Sequence, residues 1–315
     1  MAFQLSLMRI AVTGGAGFIG SHLVDELVAS GMEVTVIDDL SCGKKENINP
    51  KAKFVRKDIR QDISAELRDT DAAFHFAADP DVRSSVANPA RTFEQNAAGT
   101  FAVLESCRKA DVKRIVLAST STVYGEAEVI PTPETYPCAP MSNYGASKLA
   151  CEAYLSAYSG SYGIKGTSLR FANIFGQRST HGVMQDFYRK LCSNSKEMEI
   201  LGDGRQDKSY LHVSDCVSAT LAAWKGQKAP YDVFNVGSRT KTSVDEIAGL
   251  MCRLMGVKPR FRYTGTPRGW AGDVRLMLLD VEKLESLGWE QKVGFLQGME
   301  RYLNWLSSGQ RRVDV

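Results

Sequence analysis

Apolar residues recur in two rhythms along the first half of the chain. Short runs that read as strands cover Met8 to Thr13, Glu33 to Asp38, Ala52 to Val55, Ala72 to Ala77 and Arg114 to Ala118. Helix-length stretches between or after them cover Phe18 to Ser30, Asn96 to Ala110 and Asn143 to Tyr162. Crossovers of this length predict a parallel sheet with helices on both faces, an α/β arrangement that Lys165 to Phe171 extends by a further strand. Beyond Asn173 the rhythm breaks. Gly182 to Ser193 reads as a helix, Met198 to Leu201 as a short strand, Gly202-Asp203-Gly204 as a turn and Val233 to Gly237 as another sheet strand. Pro259 to Pro267, rich in Arg, Tyr and Gly, is a poor helix and reads as a substrate loop.

The first strand runs into Gly14-Gly15-Ala16-Gly17-Phe18-Ile19-Gly20. Missing side chains at Gly14, Gly17 and Gly20 let the backbone approach a pyrophosphate and let the next helix pack closely on the strand. The amides of Phe18 and Ile19 then face the phosphate charge. A tight strand-to-helix turn without a ligand would need the same glycines. Asp38, just after the second apolar run, adds a carboxylate placed to accept from adenosine ribose hydroxyls and to repel the extra phosphate of NADP. Its bland alternative is a cap beside Ser41 and Gly43. Asp39 and the Ser41-Cys42-Gly43 turn continue that edge, and Asp58-Ile59 at the next strand end is placed to receive adenine. Together these features predict a Rossmann-type doubly wound parallel sheet that binds NAD, followed by a smaller, discontinuous substrate-binding lobe towards the C-terminus. The expected division is residues 1–172, with elements returning near 209–250, for the NAD-binding domain, and 173–208 with 251–315 for the lobe.

Tyr144 and Lys148 lie four residues apart at the start of a helix, hence on one face. A phenol has a solution pKa near 10, and a cationic lysine with a positive nicotinamide favours its phenolate, which makes Tyr144 a candidate base. Lys148 can also hold the nicotinamide ribose. The strand before them ends in Ser119-Thr120-Ser121-Thr122, at the carboxyl edge where ligands of parallel sheets collect, and Thr120 is placed to hydrogen-bond the substrate oxygen. Ser119, Ser121 and Thr122 receive no role.

Charge and cysteine content narrow the class. Lys plus Arg number 39 against 36 for Asp plus Glu, a net +3 with no basic block, which gives little reason to expect nucleic acid or an anionic membrane as partner. The seven cysteines are dispersed without a CxxC pair and read as reduced, so a cytoplasmic setting and no metal site are expected. The opening Met1-Ala2-Phe3-Gln4-Leu5-Ser6-Leu7 lacks the basic start of a signal peptide, and no stretch reaches about 20 apolar residues.

In order along the chain, the supporting segments are Val12 to Gly20, His75-Phe76-Ala77-Ala78, the Thr120 segment ending Val123-Tyr124-Gly125, Tyr144 to Lys148, Leu169-Arg170-Phe171-Ala172-Asn173 and Gly202-Asp203-Gly204-Arg205-Gln206. As a set they resemble the extended short-chain dehydrogenase/reductase family over almost the whole chain, and within it most the UDP-glucose 4-epimerase group of archaeal type. The resemblance implies bound NAD contacted by Gly14, Gly17, Phe18, Ile19, Asp38, Asp39, Ser41, Gly43, Asp58, Ile59, Ala77, Asn96, Tyr144 and Lys148. It further implies a nucleotide-sugar substrate, UDP-glucose or UDP-galactose, with Thr120, Tyr144 and Lys148 catalytic. Asn173 would contact the substrate phosphates, and segments around Val183, Lys208 and Asp273 would line the nucleotide pocket. Two departures stand out. Many relatives have arginine where this chain has Lys208 and again where it has Trp270, which leaves Arg268 to reach the diphosphate. Met277 falls where side-chain size limits the substituent at sugar C2, although its leucine neighbours also suit a core methionine. A homodimer is implied through the helices Asn96 to Ala110 and Asn143 to Tyr162, whose apolar positions Val103, Leu104, Leu149, Ala153 and Leu155 would otherwise face the parent sheet.

Other readings remain at this point. Dehydratases that resemble the chain carry an Asp-Glu pair directly after the catalytic threonine, and decarboxylases keep a glutamate at the position of Thr122; here Ser121-Thr122 stands instead. A nucleotide-binding regulatory protein would need no phenol beside a nicotinamide.

Overall fold

The computed structural model describes residues 8–266, 269 and 272–310. Apolar runs become strands because both faces of the sheet are covered: Ile10, Ala11 and Val12 are wholly buried, as are Ala72, Ala73 and Phe74. The strands are β1 (Arg9–Thr13), β2 (Glu33–Asp38), β3 (Lys53–Arg56), β4 (Ala72–His75), β5 (Arg114–Thr120), β6 (Lys165–Phe171) and β7 (Tyr231–Val236). Among the described residues they form one sheet in the order β7-β6-β5-β4-β1-β2-β3, with the β1–β2, β1–β4, β2–β3 and β4–β5 pairs parallel. The chain winds outward from β1 to β3 on one side and from β4 to β7 on the other. The direction reverses between β1 and β4, and the carboxyl ends of these strands are where such sheets bind ligands.

Three helices matter for the site: α1 (Phe18–Ala29), α2 (Gly99–Lys109) and α3 (Asn143–Tyr162). The segment expected as one helix from Asn96 to Ala110 begins instead with a wide π-helical turn, Phe93–Ala98, which leads into α2. Two strands also shift at their functional ends. β4 stops at His75 rather than Ala77, whereas β5 runs on through Ser119 to Thr120.

The chain divides into two compact units. The first comprises Met1–Thr120, Asn143–Arg170 and Thr220–Phe234. Its core packs Ala11, Ile37, Ala73, Ile115 and Leu117 of the sheet against Val103, Leu104 and Cys107 of α2 and Cys151 and Leu155 of α3. The second comprises Ser121–Ser142, Phe171–Ala219 and Asn235–Val315. Ser121–Ser142, Phe171, Ala172 and residues 209–219 and 235–250, expected in the NAD-binding domain, fall in the second unit. Here Phe187 and Leu191 from the helix Val183–Ser193 meet Ile247 and Met251 from Val244–Met255 and Met299 and Tyr302 from Phe295–Gln310. A small sheet is organised on the strand Asp207–His212, which pairs with Lys241–Ser243, Leu276–Met277 and Asn173–Phe175. The segment expected as a substrate loop is partly strand: Arg260–Tyr263 pairs in parallel with Glu197–Ile200, while Pro267 lies outside the described residues.

Candidate active site

The glycine turn after β1 is built by close approach. Gly14 has φ +71°, and a Cβ there would lie 2.5 Å from the Ala77 amide nitrogen; a Cβ on Gly20 would lie 2.2 Å from the Gly14 carbonyl oxygen. Only glycine fits either position without moving backbone. Gly17 is the N-cap of α1 and offers no side-chain cap, so the first amides of a 12-residue helix, those of Phe18 and Ile19 included, are presented to an anion. This cradle, with Ala77 beside it after β4, fits the pyrophosphate of a dinucleotide.

Asp38 braces that cradle. Its buried carboxylate accepts the Ala16 amide at 3.0 Å through Oδ2 and the Leu40 amide at 2.9 Å through Oδ1, while burial holds its pKa above the ordinary carboxylate value. Each oxygen keeps further acceptor capacity, so the cap and a ribose contact are compatible. A Cβ on Gly43 would meet Asp38 Oδ1 at 2.9 Å, which closes the loop tightly around the carboxylate. Asp39 is turned to its own loop and accepts the Ser41 amide at 2.8 Å. Asp58 is engaged by the Arg60 guanidinium at 2.6 Å, which holds it below the usual carboxylate range.

Two expected cofactor contacts are directed elsewhere. The Ile59 side chain is buried in the first core, where a Cβ on Gly99 would touch its Cδ1, so adenine could meet only its backbone. Asn96 is also turned inward. Its Oδ1 accepts the Asp79 amide at 2.7 Å, and its Nδ2 donates to Asp79 O at 3.1 Å and Ser147 Oγ at 3.0 Å. Asn96 therefore staples the loop after β4 to α3 between Tyr144 and Lys148, and the π-helical turn carries it there.

Thr120 ends β5 and hydrogen-bonds Tyr144. Burial pushes the Tyr144 phenol up to about 12; Cys151 and Asp79 add to that rise and the Thr120 hydroxyl opposes it. The Lys148 ammonium is pushed down by burial, with Cys151 and Glu152 acting against. A phenol poised near neutrality, expected from the Tyr-Lys spacing, is therefore not produced by the protein side chains alone: desolvation outweighs the hydroxyl.

Beneath this pair runs a chain of buried hydrogen bonds. Thr13 Oγ1 meets His75 Nδ1 at 2.7 Å, His75 Nε2 meets Thr100 Oγ1 at 2.9 Å, and Thr100 donates to Cys151 Sγ at 3.1 Å. The Ala77 amide donates to Thr13 at 3.4 Å. With Thr100 donating to Cys151, the consistent assignment gives His75 its proton on Nε2 and makes Nδ1 the acceptor. Burial lowers the His75 pKa to about 3, so the ring is neutral. This chain ties the end of β1 to the helix of Tyr144 and Lys148.

The substrate candidates form a second group, in the second unit. Lys208 Nζ and Asp273 Oδ1 pair at 2.5 Å, and Gly269 donates its amide to Asp273 Oδ2 at 3.1 Å. Met277 is buried and sits in register beside Lys208 on the neighbouring strand. Asn173 aligns with Tyr210 and donates to the Ser209 carbonyl at 3.2 Å. All four residues thus gather along the strand Asp207–His212. Val183 begins its helix and packs on the second core. Arg268 lies outside the described residues.

Sequence reasoning missed Ser119, Glu152 and Arg170, which are joined in a buried cluster next to Thr120 and Lys148. A signal was present: an arginine inside the apolar strand Leu169-Arg170-Phe171 needs a buried partner. Among the described residues no helix is long and apolar enough to cross a membrane, and no group of three or more His, Cys, Asp or Glu could hold a metal.

Residues 10–237 match the model of the NAD dependent epimerase/dehydratase family. The chain is 35% identical to the UDP-glucose 4-epimerase of Mycolicibacterium smegmatis, over 93% of this chain and 97% of that one. Its fold superimposes with TM-score 0.91 on a UDP-glucose 4-epimerase from Thermotoga maritima solved with UDP-glucose, at 37% identity and covering 96% and 100% of the two chains. A dTDP-glucose 4,6-dehydratase from Streptomyces venezuelae solved with NAD gives TM-score 0.90 at 30% identity, covering 97% of this chain and 98% of that one. Overall shape therefore does not separate epimerase from dehydratase, and residues at the site must.

Proposed function

The chain belongs to the NAD-dependent epimerase/dehydratase family, and on that premise we propose that it interconverts UDP-glucose and UDP-galactose by epimerisation at the sugar C4. NAD belongs to the first unit and the UDP moiety to the second. The observation that carries this reading is the pairing of Thr120 with Tyr144 one helical turn from Lys148, with hydroxyls at Ser121 and Thr122 in place of the acids a dehydratase uses. Bound NAD supplies a hydride acceptor that returns what it takes, so turnover needs no external reductant, and its positive nicotinamide adds the charge that favours a Tyr144 phenolate. Thr120 Oγ1 orients the C4 oxygen. Tyr144 Oη takes the proton of the C4 hydroxyl and later restores it on the inverted centre. Lys148 holds the nicotinamide ribose and keeps positive charge beside the phenol. Asn173 contacts the substrate phosphates, and Lys208, with its partner Asp273, lines the nucleotide pocket while the 4-keto sugar turns; Asp38 holds the adenosine ribose.

The same reading places the protein in the cytoplasm, where its seven free cysteines stay reduced, and makes it a homodimer. The apolar positions first expected at that interface divide: Val103, Leu104 and Leu155 are buried in the parent core, Leu149 is half-buried and Ala153 is exposed. Exposed Phe101 and Tyr154, their rings edge to face at 5.6 Å, offer a more suitable surface across α2 and α3. Light scattering on the wild type and Phe101→Asp tests it; a single-chain mass for the wild type rejects the dimer.

Purified protein is heated to release and quantify NAD, then fresh enzyme is given UDP-galactose without reductant. UDP-glucose is the expected product. NAD-loaded enzyme that leaves both UDP-hexoses unchanged while converting another nucleotide sugar overturns the assignment.

A further inference from the structure

Behind the catalytic pair lies a buried ion pair that the chemistry above does not use. Glu152 stands one helical turn beyond Lys148 on α3, and its side chain is 4% exposed. Arg170 of β6 grips it, with Nε 3.0 Å from Oε1 and Nη2 2.7 Å from Oε2. The Ser119 hydroxyl of β5 donates to the same Oε1 at 2.5 Å. One carboxylate therefore joins the helix of Tyr144 and Lys148, the strand that ends in Thr120 and the next strand of the sheet. A buried ion pair is often no more stabilising than well-packed apolar residues, so stability alone is a weak reason for this one.

We propose that Glu152 is a positioning residue: held by Arg170 and Ser119, it fixes α3 against the end of β5 and supplies the buried negative charge that keeps Lys148 a cation. This rests on the reading of Thr120, Tyr144 and Lys148 as the epimerisation centre.

The charges around Lys148 support it. On its own helix stand Tyr144, whose phenol burial holds neutral before the nicotinamide charge is added, and Cys151, whose thiol burial pushes up and keeps protonated. His75 from β4 is neutral. Asp79, in the loop after β4, is paired with Arg91 at 3.0 Å. β5 contributes the Ser119 and Thr120 hydroxyls, and Arg170 from β6 is matched to Glu152. Both Cys151 and Glu152 oppose the effect of burial on Lys148, but only a carboxylate carries that charge at neutral pH. Without Glu152, desolvation and the Arg170 cation would both drive Lys148 towards its neutral form.

The test measures Lys148 itself. In 15N-lysine-labelled enzyme, the Nζ resonance of Lys148, identified by its loss in Lys148→Arg, is titrated in the wild type, in Glu152→Gln and in the double variant Glu152→Gln/Arg170→Met. The double variant removes both charges and leaves no unpaired ion, which protects the test against a folding failure in the single variant. We expect the Lys148 midpoint to fall by about one pH unit or more in Glu152→Gln, the range that a close charge produces, and by a smaller but measurable amount in the double variant, from which the opposing Arg170 cation is also gone. The alkaline limb of kcat moves down with it, and kcat on UDP-galactose drops roughly 10-fold while KM changes little, within the loss that slight misplacement causes. A wild-type midpoint and alkaline limb in the double variant would make the pair a structural brace only and overturn the proposal. Should the wild type fail to convert UDP-galactose, the functional reading falls, while the Lys148 midpoint still decides the role of Glu152.

Discussion

The chemistry proposed for the first unit comes from one strand end and the helix that follows it in the same unit, whereas the second gathers Asn173, Lys208, Asp273 and Met277 from separate segments onto one strand. Helical spacing alone fixes Tyr144 relative to Lys148. Lys208 and Asp273 are 65 positions apart and meet only through strand register and a buried ion pair. The spacing within the first group is consequently set locally, and truncating Tyr144 should affect chemistry more than folding. The second should couple binding to stability.

The largest effect expected is on the local side of that contrast. Tyr144→Phe keeps the ring and helix but removes the hydroxyl that moves the proton, so kcat should fall roughly 10²-fold or more with the melting temperature little changed. Near-normal kcat at neutral pH would remove Tyr144 as the base and erase the distinction between the two groups.

That same division explains what was legible in the sequence. The glycine turn, Asp38 and the Tyr144–Lys148 pair are readable because their geometry follows from local spacing, and the boundaries Glu33–Asp38, Asn143–Tyr162 and Lys165–Phe171 coincide with the elements formed. The strand Asp207–His212 was not read, since Asp207-Lys208-Ser209 lacks an apolar rhythm and the segment is defined by its partners. Facing was hidden too. Nothing in the spacing of Asn96 told whether it points to a cofactor or into the core, because the π-helical turn before α2 alters the rotation of the chain without altering its composition, and Ile59 is turned inward by packing that only the fold supplies. Arg170 was legible as a cation inside an apolar strand, but its partner Glu152 was not, because helical spacing does not disclose which carboxylate is buried.

Acid should loosen the first unit through His75. Its folded pKa of about 3 lies below the unfolded value of 6.5, so the unfolded chain takes the proton more readily. The stability it contributes is whole above pH 6.5 and is lost as pH falls towards 3, by about 2 kcal/mol at pH 5 and about 4 kcal/mol at pH 3. Urea melts of the wild type and His75→Gln across this window should show a shallower pH slope in the variant, whatever its baseline stability. Equal slopes would mean that His75 is not held neutral by the Thr13–His75–Thr100 chain.

On the non-local side, Lys208→Met leaves Asp273 buried with the Gly269 amide but without its cation. The expected loss is about 3 kcal/mol of stability, at the lower end for a broken buried pair because Lys208 is 14% exposed. KM for UDP-galactose should rise with kcat less affected, the reverse of Tyr144→Phe. A raised KM with full stability would show that the ion pair is dispensable to the fold and would break the proposed coupling. In the first unit, Asp38→Ala should weaken NAD binding and narrow the preference over NADP by roughly tenfold, about 1.4 kcal/mol, and should also lower stability by removing the brace on Ala16 and Leu40. Equal affinity of the wild type for NAD and NADP would exclude the ribose role and leave Asp38 a cap.

The smallest effect concerns the sugar. Met277 lies beside Lys208 in the sheet register and is 9% exposed, which suits a core methionine and a pocket wall alike. An unbranched thioether can shift to admit an N-acetyl group at C2, whereas a tyrosine ring is stiffer and larger. The wild type should therefore show secondary activity on UDP-N-acetylglucosamine, and Met277→Tyr should reduce it more than activity on UDP-glucose. The ratio of kcat/KM for the two substrates isolates this from any loss of stability, because destabilisation lowers both alike. Burial sets the competing expectation: if Met277 serves only the core, a larger ring strains the strand pair Leu276–Met277 with Asp207–Lys208 and lowers the melting temperature. A falling melting temperature with an unchanged substrate ratio would assign Met277 to the core, and a changed ratio with an intact fold would place it in the wall that admits or refuses the C2 substituent.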